Sequence, residues 1–123
     1  MAKKDERIRT VDSLAEDAFA NHVLREEGDG RWFCGRPGTG MYHFRVIIAP
    51  ACVFLYGDIG DVVFLCSEGD ALNWLLTSVN GGRDYLLGKS RQAVRDKDRW
   101  GWAPQNMWHY HALRKFCELF NAK

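Results

Sequence analysis

Apolar and polar positions alternate with a period of two through the middle of the chain and recur at helical spacing towards both ends. From Met41 to Cys66 the order MYHFRVIIAP, ACVFLYGDIGD, VVFLC predicts two long strands and a shorter third. Turns at Ala49-Pro50 and Gly57-Asp58-Ile59-Gly60 divide them. Proline fixes φ and donates nothing to a ladder, glycine takes positive φ, and aspartate bonds the backbone just ahead of it. In the first of these strands Tyr42, Phe44, Val46 and Ile48 share one face, with His43 and Arg45 on the other. The next two are apolar on both faces. They therefore predict central strands covered on both sides, or one face covered by a partner or a second copy of the chain. Arg31 to Gly35 reads as a further strand, with Trp32 and Cys34 opposite Phe33.

A helix is predicted from Ser13 to Glu27, opened by the capping-box spacing Ser13-x-x-Glu16. Leu14, Ala18, Phe19 and Val23 form its stripe, and Gly28-Asp29-Gly30 ends it. Ser67 to Asp70 repeats the capping spacing before a helix to about Val79. A short helix is expected from Asp84 to about Val94. Pro104 suits the first turn of a last helix carrying Trp108, Ala112, Phe116, Leu119 and Phe120. Residues 1–10 read as a frayed charged tail and 11–123 as a single domain. The expected fold is α+β: a four-stranded antiparallel meander with one N-terminal helix and about three C-terminal helices.

The 123 residues are 46% hydrophobic and 27% charged, enough for one real core. A net charge of +1 argues against non-specific nucleic-acid binding, which needs a strong basic excess. The charge is uneven, however. Residues 1–30 hold eight acids and five bases, and residues 83–123 hold nine bases and four acids. MAKKDERIRT lacks the apolar core of a signal peptide, and the longest apolar run is too short to span a bilayer. The expectation is a cytoplasmic protein without membrane contact. Its four cysteines (Cys34, Cys52, Cys66 and Cys117) are expected to stay reduced, with Cys52 and Cys66 acting as small buried hydrophobes.

Candidate chemistry is sparse. His109 and His111 lie two apart on a helix, so they diverge by about 200° and cannot chelate together. No metal or other cofactor is expected. Cys34 beside Arg36 has the makings of an activated thiol but no visible base, so a buried strand cysteine is the favoured reading. Asp58 and Asp61 flank a tight turn, where aspartate usually serves the backbone rather than acid–base work. The basic residues Arg83, Lys89, Arg91, Arg95, Lys97 and Arg99 run up to Trp100 and Trp102, a pattern compatible with phosphate contacts and base stacking. Trp100 and Trp102 also suit a protein interface.

Trp32, Pro37-Gly38-Thr39 before Tyr42 and Phe44, Pro50, Gly57-Asp58-Ile59-Gly60, Phe64, Asp70, Trp74, Asp84-Tyr85 and Lys89 follow one another in an order that resembles a group of small phage and prophage proteins with a GDIG hairpin. The likeness covers about half the chain and implies an origin in a mobile element. Small phage proteins without a catalytic motif, anti-CRISPR proteins among them, often act by occupying a host machine. The resulting expectation is a non-enzymatic inhibitor or adaptor that binds a host protein complex in a bacterial cytoplasm, such as a CRISPR effector. Its contacts are assigned to Arg36, His43, Arg45, Asp58, Asp61, Trp100 and Trp102. A homodimer through an apolar sheet face is a further expectation. The alternative is a nucleic-acid-binding accessory protein using Arg91, Arg95, Lys97 and Arg99.

Overall fold

The computed structural model describes residues 2–67, 69–90 and 104–122. Helix α1 (Ala2–Phe19) leads into five strands: β1 (Val23–Gly28), β2 (Arg31–Gly35), β3 (Phe44–Ala49), β4 (Cys52–Gly57) and β5 (Val62–Leu65). The strands form one antiparallel sheet in chain order. Helices α2 (Ala71–Ser78) and α3 (Arg83–Gly88) follow, separated by a 3-10 turn at Val79–Gly81, and then α4 (Pro104–Asn121). The α+β class is as expected, but the described residues form five strands rather than four.

The fifth strand comes from the segment expected to end the first helix. The α1 helix stops at Phe19, and Val23–Gly28 pairs with β2. Asp29-Gly30 is the two-residue hairpin loop between Gly28 and Arg31, with Gly30 at φ 69°. Leu24, Arg25, Glu26 and Glu27 favour a helix locally, but hydrogen bonding to β2 overrides that preference. Ser13 therefore lies within α1 rather than at its start, and the helix takes in most of the stretch expected as a tail. Among its described side chains Val11, Ala15 and Phe19 are buried, while Leu14 is 52% exposed. In α2 the cap is Asp70, whose carboxylate accepts from the Asn73 N–H at 3.0 Å, rather than Ser67.

Among the described residues, helices cover only one face of the sheet. Trp32, Cys34, Phe44, Val46, Val53, Leu55, Val62 and Phe64 are buried beneath them. The opposite residues Phe54, Tyr56 and Leu65 remain exposed, so β4 and β5 are not covered on both sides. Cys52 and Cys66 are half-buried, whereas Cys34 and Cys117 are buried. The centre of the covered side is α4. Met107, His109, Tyr110, His111, Ala112, Leu113, Phe116 and Cys117 are all buried, so this helix is enclosed nearly all round. Trp32 of β2 meets Phe116 and Phe120 edge-on at 5.4 and 5.9 Å.

The turn after β4 shows why both its glycines are required. Gly57 has φ 145°, and a Cβ there would lie 2.5 Å from the His43 carbonyl oxygen. Gly60 has φ 93°, and its Cβ would meet the end of the Gln105 side chain in α4. The first glycine lets the β3 backbone approach, whereas the second is required by its left-handed φ, since the Gln105 side-chain end it would meet can move aside. We expect Gly57→Ala to cost at least about 2 kcal/mol, since strain and a backbone clash add. Gly81→Ala, whose Cβ meets nothing within 4 Å, should cost far less. Urea unfolding of the two variants checks the contrast, and equal midpoints would count against this turn geometry.

Candidate interaction surface

Two loops close the end of the sheet where β2 passes to β3 and β4 to β5. Each is tied down by a buried histidine. His22 donates from Nε2 to the Tyr42 carbonyl at 2.8 Å, and His109 donates from Nε2 to the Ile59 carbonyl at 2.9 Å. These rings are 4% and 1% exposed, and their Nδ1 atoms have no protein partner among the described residues. Burial pushes both pKa values below the ordinary 6.5. His111 points elsewhere, its Nε2 donating to Asp12 Oδ1 at 2.6 Å. The two α4 histidines thus diverge, as their spacing predicts.

Tyr42 has φ 60°, an uncommon conformation for a bulky side chain. It is therefore not part of β3, although the alternation of residues runs straight through it. Its ring lies parallel to Trp108, with centroids 5.6 Å apart and planes 1° off parallel. Trp108 in turn meets Phe19 edge-on at 5.8 Å, and Phe19 meets Phe44 at 5.4 Å. This aromatic chain fixes the 36–43 loop against α1, α4 and β3. Between the loop and α1 lies a groove of about 480 Å³. Leu14, Ala18, Pro37, Met41 and Tyr42 give it apolar walls, and Asp17 and Arg36 add a charge of each sign. Leu14, Met41 and Tyr42 are 52%, 63% and 39% exposed.

The open face of the sheet is the second distinctive surface. Register places Arg25, Phe33, Arg45 and Tyr56 in one row across β1 to β4. The next row is Arg31, Ile47, Phe54 and Val63. The guanidinium groups of Arg25 and Arg45 lie 4.8 and 4.9 Å from the Phe33 ring centroid. Both arginines donate to Glu27, Arg45 from Nε at 2.9 Å. Hydrogen bonding from Arg45 holds the Glu27 carboxyl below the usual carboxylate range. His43 stacks on Phe33 and lies 3.2 Å from Asp58.

The residues assigned from sequence therefore separate. Arg36 lines the groove, Arg45 lies on the open face, and His43 and Asp58 pair at the end of the sheet. Asp61 is exposed in the β4–β5 turn. Trp100, Trp102, Arg91, Arg95, Lys97 and Arg99 lie outside the described residues. Two other members of the basic segment are engaged within the fold. Arg83 approaches Asp12 at 3.7 Å and Tyr110 at 5.4 Å, and Lys89 lies over Tyr85. Cys34 is no activated thiol, since burial pushes its pKa to about 12. Among the described residues, no three potential ligands converge on a metal position and no helix is long and apolar enough to cross a membrane. The groove was missed in the sequence because helical spacing places Leu14, and strand alternation places Tyr42, in the core.

Compared with protein-family models, curated proteins and solved structures, the chain has no match.

The two buried histidines make stability depend on pH. Each has a folded pKa below its unfolded value, so the unfolded chain binds protons first as pH falls. Their contribution is fully present above about pH 6.5. It is lost below that at up to about 1.4 kcal/mol per pH unit for each, until the folded pKa is passed. Urea unfolding between about pH 7.5 and pH 5.5 should show this slope, and His109→Gln should reduce it. A slope unchanged in that variant would remove His109 from the account.

Proposed function

We propose that the protein is a non-enzymatic inhibitor or adaptor that binds a host protein complex, and that the groove beside α1 takes an anchoring segment of that partner. The observation that carries this reading is Tyr42, an exposed tyrosine in a left-handed backbone conformation, held against Trp108 at the wall of an apolar groove. Backbone strain concentrates where a side chain must be presented in one orientation. A rigid apolar site loses little entropy when a partner binds. Asp17 and Arg36 give the groove polarity, which suits a segment carrying an apolar anchor between a base and an acid.

The finer reading is a phage-encoded anti-CRISPR or other anti-defence protein. It rests on the likeness of the residues around Gly57-Asp58-Ile59-Gly60 to small phage proteins. In this reading the chain works in the bacterial cytoplasm by covering a surface of a CRISPR effector or similar machine. His43 and Asp58, at the same end of the sheet, widen the contact beyond the groove.

A tagged chain in nuclease-treated bacterial lysate should recover one host complex in stoichiometric amount. Met41→Asp should reduce recovery at least tenfold, because it places an unpaired charge against an apolar partner. Met41 is 63% exposed, so this change should leave the far-ultraviolet circular dichroism intact. Full recovery with the folded Met41→Asp chain would rule out the groove. Recovery only when nuclease is omitted would favour nucleic-acid binding.

A further inference from the structure

We propose that two copies of this chain pair face to face through the open side of the sheet, about a two-fold axis running along β3. The inference is independent of the groove, which lies between α1 and the 36–43 loop.

The open face divides into unlike halves. Towards β1 and β2 it carries Arg25, Arg31 and Phe33. Towards β4 and β5 it carries Phe54, Tyr56, Val63 and Leu65, with Asp61 immediately before β5. A two-fold axis along the central strand turns each half onto the other. The pairing register then sets Phe33 over the partner's Tyr56 and Arg31 over the partner's Phe54, and brings Arg25 towards the partner's Asp61. Aromatic meets aromatic, a guanidinium meets an aromatic ring, and a base meets an acid. Ile47 meets its own copy on the axis.

Arg45 also lies on the axis, where two like charges would oppose association. Each Arg45 is bound by the Glu27 of its own subunit at 2.9 and 3.4 Å, which offsets its charge at the axis, while Arg25, which shares that carboxylate, leaves a net positive charge to face the partner's Asp61. Beyond the axis, Phe54, Tyr56 and Leu65 are 43%, 40% and 36% exposed, an apolar cluster on adjacent strands that a second copy would cover.

The edges of the sheet do not offer the same opportunity. On β1, the run Arg25-Glu26-Glu27 and an irregularity between Glu26 and Gly28 blunt the strand. On β5, the Leu65 N–H already donates to the Lys89 carbonyl, and Phe64 bridges to Ser90. Association by strand addition is thus disfavoured at both ends, which leaves the face. Strands of four to six residues give roughly 24 by 18 Å of sheet, or about 900 Å² shared by two copies, the size of a weak, concentration-dependent interface.

Sedimentation equilibrium of the full chain tests this directly. A concentration-dependent dimer is expected. Phe54→Glu and, on the neighbouring strand, Leu65→Lys should each weaken it at least tenfold with circular dichroism unchanged. Arg25→Asp should weaken it too, and adding Asp61→Arg to that chain should restore it. A monomer up to about 1 mM would overturn the proposal, since association weaker than that is not specific. So would a dimer that tolerates both apolar variants, or a double charge swap no tighter than Arg25→Asp alone. Met41→Asp should remain dimeric, so failure here and failure of the groove reading are distinguishable.

Discussion

The enclosure of α4 places most of the other elements. This helix brings two histidines, a tyrosine and an asparagine into the interior, and buried polar groups need partners. His109 finds the Ile59 carbonyl of the β4–β5 turn, and His111 finds Asp12 of α1. These contacts leave opposite sides of the helix and reach elements far apart in sequence. They restrict how α4 can rotate or slide, which apolar contacts alone do less well. With α4 seated, Trp32 closes over Phe116 and Phe120, and Phe19 closes over Trp108.

The same seating shapes both outward surfaces. Because α4 and its flanking helices lie on one side, the other side of the sheet stays open among the described residues. Because Trp108 emerges beside α1, Tyr42 has a flat ring to lie on, and the loop that carries it is held away from the β3 ladder. His22 supports the same loop through the Tyr42 carbonyl. Groove and open face are thus separate products of one packing arrangement, and a change at either surface need not disturb the other.

Much of the fold was legible in local pattern. Alternation located the strands from Arg31 to Leu65. Pro50 and the two glycines of Gly57-Asp58-Ile59-Gly60 marked the turns, and Pro104 marked the start of α4. The first strand was not legible in this way. Leu24, Arg25, Glu26 and Glu27 prefer helix, and the opposing signal, Asp29-Gly30, is also an acceptable helix stop. The open face was half legible. Phe54, Tyr56 and Leu65 are apolar residues on strands, but the same pattern suits a sheet covered on both sides. The groove was not legible, because Leu14 fits a helical stripe and Tyr42 fits a strand.

The sequence by itself determined the α+β class, the order of β2 to β5, the tight turn that needs Gly57 and Gly60, and the divergence of His109 from His111. These follow from steric rules and periodicities that act over a few residues. Only the tertiary structure decided that β1 is a strand, that one face of the sheet is open, and that Tyr42 turns outward at a strained angle. Each of those depends on which distant surface a segment meets: β2 for β1, the single layer of helices for the sheet, and Trp108 for Tyr42. Local pattern is silent on such choices, because burial depends on the whole chain.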